Sequence, residues 1–136
     1  MKFRRPRILR YQDTIRFHGH DGPFLALGYK LGKYINEKHR PKGIMDMYIT
    51  VTVRPQKPYT CIIDGLQCST MATMGKGNMK LRKAKRRMYV TVEKARKRYC
   101  YRITENAVRM CMGTDPLPTA ARKILRTPAH ELWHMC

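Results

Sequence analysis

The sequence predicts a single α+β domain in which helices pack against one face of a β-sheet. Three observations support this prediction. Apolar residues recur at helical spacing after Pro23, they alternate with polar residues from Met45 to Val53, and one short and two alternating strand segments precede a tail broken by prolines. The resulting order is helix, strand, helix, three strands and short helices. At 136 residues the chain has the length of one domain.

The first predicted helix begins at a proline. Asp21 or Gly22 is the expected N-cap, and Pro23 occupies the first turn, where its missing N–H costs nothing. Gly28 and Gly32 lie four residues apart and predict the close approach of another segment. The buried face is predicted to consist of Phe24, Leu27, Leu31, Tyr34 and Ile35.

A second helix and three short strands are predicted after the first strand. Thr60 is the expected cap of this helix, which is predicted to end near the GKGN turn at residues 75–78. The glycines of that turn indicate a helix end rather than a phosphate cradle, because the P-loop spacing is absent. The short strands are predicted at Met79–Lys83, around Val90 and around Tyr101. Short helices are expected over the rest of the chain.

Charge is the strongest functional signal. The chain holds 29 Lys and Arg against 9 Asp and Glu, a formal net charge of +20, whereas solubility of a small domain requires only about 2 to 8. This excess predicts a polyanionic partner, since phosphate binding releases counterions. Twelve of the basic residues lie between residues 76 and 102, where Glu93 is the single acid. Strand pairing is expected to bring them together as one basic ridge.

The expected polyanion is RNA, because the sequence has no helix-turn-helix, zinc finger or basic zipper to enter a DNA major groove. Residues 1–16 are predicted to form a basic arm beside a domain at 17–136, and to become ordered on RNA. Tyr89 is a candidate for stacking on an unpaired base, whereas Tyr99 and Tyr101 are expected to pack in the core. The predicted RNA-binding residues are Arg4, Arg5, Arg7, Arg10, Lys76, Lys80, Arg82, Lys83, Lys85, Arg86, Arg87, Lys94, Arg96, Lys97 and Arg98.

The cysteines and the hydropathy pattern indicate a cytoplasmic protein. Five cysteines without a C-x-x-C pair favour neither a secreted disulfide framework nor a zinc ribbon, so reduced thiols are expected. No apolar run is long enough for a transmembrane helix, and the N-terminus lacks the apolar stretch of a signal peptide.

Four segments carry a family resemblance. Residues 17–29, FHGHDGPFLALGY, resemble the opening H-G-H-x-C-P-G-x-A-L-G-Y of the FmdE family, which takes its name from formylmethanofuran dehydrogenase. Residues 61–67 and 75–78 resemble its C-x-x-D-x-I-Q helix and G-K-G-N turn, and residues 127–133 resemble its closing P-x-E-L-F segment. The resemblance implies the family's fold, a helix-strand-helix-three-strand core with a mixed sheet.

The sequence departs from the family where the resemblance implies a metal site. Gly22 stands in place of the Cys of the C-P-G motif, Ala72 in place of a second Cys, and the zinc ribbon that many members append is absent. A site built from His and Cys ligands would keep His18, His20 and Cys61 at most, enough for a single transition metal such as zinc with an open position. Otherwise the histidines cap a helix, Cys61 is a small buried residue, and no cofactor is bound.

We therefore expect a non-enzymatic domain that binds structured RNA, in a ribosome or another ribonucleoprotein, mainly through phosphate contacts. The alternative is a metal-binding accessory protein of a molybdenum or tungsten formylmethanofuran dehydrogenase-type oxidoreductase system, whose positive charge docks an acidic protein partner. A thiol nucleophile at Cys61 is a third alternative, with His18 or His20 as base and Asp21 or Asp64 as orienting carboxylate. The sequence leaves formation of a homodimer open.

Overall fold

The structure, a computed structural model, describes residues 7–136. Its elements are α1 (Tyr11–His18), α2 (Pro23–His39), β1 (Tyr48–Val53), α3 (Cys61–Thr70), β2 (Met79–Lys83), β3 (Tyr89–Lys94), β4 (Lys97–Ile103), α4 (Glu105–Cys111), α5 (Leu117–Arg126), a 3-10 helix (Ala129–Glu131) and β5 (Trp133–Met135). The predicted α+β class is confirmed. Among the helices of residues 7–136, none combines the length and hydropathy needed to span a bilayer.

The five strands of residues 7–136 form one mixed sheet in the order β2-β1-β3-β4-β5. β1 and β2 are parallel, with α3 in the crossover between them, and the other neighbours are antiparallel. Alternate strand residues, such as Ile49, Val51 and Val90, are buried in one core with Leu27 of α2 and Leu66 of α3. The helices therefore cover one face of the sheet, and residues 7–136 leave the opposite face uncovered.

Glycines line the contact between α2 and α3. A Cβ atom at Gly28 would collide with the carbonyl oxygen of Ile62, and one at Gly32 would collide with the hydroxyl of Ser69. That hydroxyl donates to the carbonyl oxygen of Gly65 at 2.8 Å. The predicted close approach at Gly28 and Gly32 is therefore confirmed, and the approaching segment is α3.

The N-terminal segment differs from the predicted basic arm. Residues 11–16 belong to α1, which packs against α2 and α3. Its inner side is supplied by Tyr11, whose ring lies 5.3 Å from that of Tyr29, and by Thr14, which is fully buried. A tyrosine and a threonine give a weak apolar signal, so periodicity misses this helix. Residues 1–6 of the predicted arm lie outside the described residues.

Two element boundaries and one additional strand also differ from the predictions. α3 ends at Thr70, because Met71 adopts the left-handed conformation that caps it, and does not extend to Gly75. β1 begins at Tyr48 rather than three residues earlier. The sequence does not predict β5, because a three-residue strand is too short to show an alternating pattern.

The expectation of five reduced thiols is wrong for two of them. Cys100 on β4 and Cys136 after β5 form a disulfide, with Cα atoms 5.2 Å apart. The pairing of the two strands brings them together, since the N–H of Cys136 donates to the carbonyl oxygen of Cys100 at 3.0 Å. Cys61, Cys68 and Cys111 are free thiols.

Candidate nucleic-acid interface and histidine site

The side of the sheet away from the helices is polar, and we call it the open face. Its positions alternate with those that face the helices, because successive side chains of a strand point to opposite faces. Among these positions Thr52 is buried, whereas Lys80, Arg82 and Arg102 are exposed. The open face comprises Tyr48, Thr50, Thr52, Lys80, Arg82, Tyr89, Thr91, Glu93, Arg98, Cys100, Arg102 and His134.

One cross-strand row joins open-face residues from all five strands. Its members are successive register partners, in the order Arg82, Thr52, Tyr89, Arg102 and His134. Because neighbouring strands lie about 4.8 Å apart, the row spans about 20 Å. It therefore places an aromatic ring between cations that can reach phosphate groups on either side.

The two basic runs of the sequence, residues 80–87 and residues 94–98, do not form the predicted single ridge. Residues 84–87 lie in the connection before β3, whereas residues 94–98 surround the hairpin turn at its other end. Ala95 and Arg96 both have positive φ, as a tight two-residue hairpin requires. The six residues of β3 separate the runs by about 17 Å. The open face, rather than direct contact, connects them.

Within residues 7–136, ion pairs between the open face and carboxylates occur at its hairpin end. Glu93 pairs with Arg98 at 3.0 Å, and Asp46 pairs with Lys94 at 3.8 Å. At the other end, within residues 7–136, carboxylate oxygens lie farther than 4.0 Å from all the basic groups of Arg82, Lys85, Arg86, Arg87 and Arg102. The end that carries Tyr89 is therefore the stronger candidate for phosphate binding.

The GKGN turn has an internal structural role. Asn78 is buried; its Oδ1 accepts from the N–H of Thr73 at 3.0 Å, and its Nδ2 donates to the carbonyl oxygen of Ile44 at 2.8 Å. Lys76 Nζ donates to the carbonyl oxygen of Met71 at 2.5 Å. The ammonium group of this predicted RNA contact thus stabilises its own turn.

The basic N-terminal residues are separate from the open face. Arg10 is the N-cap of α1 and pairs with Asp13 at 3.2 Å. Since α1 packs on the helical side, Arg10 and the preceding Arg7 are not brought together with the strand-borne cations. Arg4 and Arg5 lie outside the described residues.

The three candidate tyrosines occupy two sides of the sheet. Tyr101 is fully buried on the helix-facing side, and Tyr99 lies there against the ring of His39, with centroids 4.3 Å apart. Tyr89 lies on the open face and is partly exposed. Core packing of Tyr99 and Tyr101 is as predicted, and Tyr89 is available to a ligand.

A groove of about 650 Å³ lies at the Tyr89 end of the open face, where Arg87, Tyr89, Arg102, Glu105 and His134 line it. The predicted contacts do not include Arg102, Glu105 or His134. The sequence could have indicated Arg102, because it alternates with the apolar residues Tyr101 and Ile103 of the same predicted strand and therefore faces away from the core. His134 has no such signal, because its place depends on the unpredicted pairing of β5 with β4.

A second site lies where α1 meets α3. His18 Nδ1 is 2.6 Å from Oδ2 of Asp64, in the first turn of α3. His18 Nε2 is buried and has no hydrogen-bond partner among the described residues. His18, His20 and Cys61 line a cavity of about 60 Å³. A buried ring nitrogen without a partner beside a small cavity is the donor arrangement that a ligand atom or metal ion would complete.

The donor set fits a transition metal only in part. His18 fits, because a carboxylate on the second ring nitrogen is the usual partner of a metal-bound histidine. Within residues 7–136, however, no group of three or more His, Cys, Asp or Glu side chains is placed to hold an ion. A Cβ atom at Gly22 would lie 3.3 Å from His20 Nε2. The cysteine that the family motif has at this position would therefore stand beside His20, and this chain lacks it.

Cys61 lacks the properties of an activated nucleophile. Burial, together with the negative charge of Asp64, raises the pKa of its thiol, so the thiol is protonated at neutral pH. Asp21 accepts a hydrogen bond from Tyr11 Oη at 2.5 Å, whereas the carboxylate that contacts His18 is that of Asp64. Of the proposed nucleophile, base and carboxylate, the structure assembles only the pair of His18 and Asp64.

The fold and the site define an α+β domain with a one-sided helical layer and a histidine–aspartate pair between its first and third helices. A family model described as FmdE, Molybdenum formylmethanofuran dehydrogenase operon, matches residues 17–132. The chain therefore belongs to the FmdE family, as its motifs indicated. No curated protein is significantly similar to it.

Proposed function

We propose that this protein binds structured RNA through the open face and the β2–β3 connection, and that it does so without catalysing a reaction. The observation that supports this most directly is the cross-strand row, in which Tyr89 lies among arginines that pair with no carboxylate of residues 7–136. The net charge of +20 supplies the long-range attraction to phosphate. The proposed setting is a cytoplasmic ribonucleoprotein, with ribosomal RNA as the first candidate.

Phosphate contacts dominate the proposed interaction. Lysine and arginine side chains that project from a sheet and its loops contact the backbone of any sequence, so binding is expected to be weakly sequence-specific. RNA is favoured over DNA because a sheet with an accessible aromatic ring suits the unpaired loops of folded RNA. RNA is therefore the polyanion to test first.

A matched pair of charge-reversal variants tests the proposal. Arg86→Glu/Arg87→Glu is expected to weaken binding of a folded RNA by roughly tenfold or more, and to flatten the slope of log K against log salt by about 1.5. Arg122→Glu/Arg126→Glu makes the same charge change at exposed positions of α5, on the helical side. Equal losses in both variants, measured by fluorescence anisotropy, would reduce the effect to net charge and defeat the proposed interface.

Sedimentation of native lysate tests the proposed particle. After a high-salt wash, the protein is expected to migrate with a large particle on a sucrose gradient and to lose that position after ribonuclease treatment. Migration as a small species, or with a ribonuclease-resistant complex, would contradict the RNA-bound role.

The orphaned Nε2 of His18 supports a second candidate, a metal-binding accessory protein of a formylmethanofuran dehydrogenase-type system. In that role His18, His20 and Cys61 would hold one metal ion once their donor atoms draw closer together than they stand within residues 7–136, and the basic surface would bind an acidic protein partner. Gly22→Cys is expected to raise zinc affinity by adding a thiolate beside His20, and His18→Ala to lower it. Elemental analysis of untagged wild-type protein tests whether the natural sequence binds a metal. A content of zinc, nickel or iron no higher than traces would contradict the metal-binding role.

A further inference from the structure

The groove beside Tyr89 has the size of a site for a small molecule or a single nucleotide. Its volume of about 650 Å³ lies within the roughly 300 to 1,000 Å³ that ligand pockets occupy. It opens on the face of the sheet that residues 7–136 leave uncovered. A flat phosphate-binding surface would not require such a concavity.

Tyr89 differs from most tyrosines of the protein in lacking an aromatic neighbour within residues 7–136. Six of the eight tyrosines pack against another ring, those at 11, 29, 34, 59, 99 and 101. Among the described residues, Tyr48 and Tyr89 have no such partner, and both lie on the open face. Their neighbours distinguish them, because Tyr48 is the register partner of Glu93 whereas Tyr89 is the register partner of Arg102.

The charged groups of the groove suit one nucleotide rather than a row of phosphates. Arg87 and Arg102 supply cations, and Glu105 places a carboxylate in the same groove. A carboxylate repels a second phosphate but accepts the N–H groups on the edge of a base. His134 adds a fixed wall, since its Nε2 lies 2.7 Å from the carbonyl oxygen of His130.

We propose that this groove holds one unpaired nucleotide of the RNA, with its base stacked on the Tyr89 ring and its phosphate bound by Arg87 and Arg102. The inference rests on the proposed RNA-binding function and specifies the recognised element as single-stranded. A base inside a duplex cannot present its face to a side chain, so a fully paired RNA reaches only the surrounding phosphate contacts.

Tyr89→Ala and Phe17→Ala form a matched pair of variants for this inference, since Phe17 is an exposed aromatic residue of α1 outside the open face. The probe is a short single-stranded RNA that carries 2-aminopurine, compared with a fully paired hairpin of equal phosphate number. Tyr89→Ala is expected to weaken single-strand binding by about 5- to 150-fold, to leave the salt slope unchanged and to abolish fluorescence quenching of the 2-aminopurine. Phe17→Ala is expected to retain binding and quenching, and Tyr89→Phe, which keeps the aromatic ring, is expected to restore the quenching that Tyr89→Ala loses. Urea unfolding verifies that each variant is folded.

The outcomes separate this inference from the function on which it rests. If the wild type binds neither RNA at low salt, the proposed function fails and the inference fails with it. If the wild type binds both RNAs equally, or Tyr89→Ala loses no more affinity than Phe17→Ala, RNA binding stands and the nucleotide site is wrong.

Discussion

Gly28 allows α2 and α3 to pack closely, because it has no side chain where the two helices meet. Gly28→Ala is expected to reduce the free energy of unfolding by about 1 to 3 kcal/mol, because the added methyl group meets the backbone carbonyl of Ile62. Helix propensity alone would favour alanine by about 1 kcal/mol. Gly75→Ala is the control, since its Cβ meets nothing within 4 Å. Urea unfolding that finds the two variants equally stable would contradict this packing.

His39 is expected to give the fold a pH dependence. Burial lowers the pKa of His39 from its usual 6.5, and the charges of Lys38 and Lys94 lower it further. The unfolded chain therefore takes up its proton at a higher pH than the folded chain does. This contribution to stability is present above about pH 6.5 and is lost as the pH falls through the folded pKa.

Substitution of His39 tests this dependence. His39→Gln can keep a hydrogen bond to Tyr101 Oη, which lies 2.6 Å from His39 Nε2. The variant is expected to show a smaller fall in its urea midpoint between about pH 7 and about pH 5 than the wild type does. His130→Gln, at an exposed position, is expected to retain the wild-type fall. An unchanged fall in His39→Gln would assign the pH dependence to other groups.

At the scale of elements, one lysine of α2 holds the end of α5. Lys30 Nζ donates to the carbonyl oxygens of Ile124 at 3.2 Å and Leu125 at 3.0 Å, and also to that of Thr127. Carbonyls at a helix C-terminus have no partner within the helix. Lys30→Met is expected to cost about 1 to 3 kcal/mol and to accelerate amide exchange in α5. Lys33→Met, an equal charge change at an exposed position of α2, is the control, and equal costs would contradict the cap.

Elements with a local signal could be predicted from the sequence, and elements fixed by distant contacts could not. Pro23 and the apolar spacing after it are sufficient to predict α2, and strict alternation predicts β1, β3 and β4. α1 could not be predicted from apolar spacing, because its buried side includes the polar residue Thr14. β5 and the disulfide of Cys136 could not be predicted, because they form only through pairing with β4, more than 30 residues earlier in the chain.

The candidate sites divide in the same way. Composition predicts a basic protein, but strand register decides which cations share a face with Tyr89, and register is a property of the folded sheet. The closeness of the two basic runs in sequence therefore predicts that they are adjacent in space, although β3 holds them at opposite ends of the strand. The pairing of His18 with Asp64 joins residues 46 positions apart. The family motifs named both segments, yet only the packing of α1 on α3 shows that they meet.

At the scale of the whole molecule, the net charge of +20 acts on the fold as well as on the partner. Like charges repel in the compact state, and salt screens this repulsion, since the Debye length falls from about 30 Å at 0.01 M to about 10 Å at 0.1 M. The urea midpoint of the free protein is therefore expected to rise with potassium chloride over this range. RNA binding is expected to weaken over the same range, because the counterions that binding releases from the phosphates gain less entropy when they enter a more concentrated salt solution.

The opposite signs make the two effects separable in one salt series. Loss of RNA binding with rising salt cannot then be attributed to unfolding, because the fold becomes more stable as the complex dissociates. The stability gain is expected to be smaller in Arg122→Glu/Arg126→Glu, which lowers the net charge by four at exposed positions of α5. A midpoint that falls with salt would mean that ion pairs such as that of Arg98 with Glu93 outweigh the repulsion. The loss of RNA binding with rising salt could then no longer be separated from unfolding, and the salt series would not support a polyanionic partner.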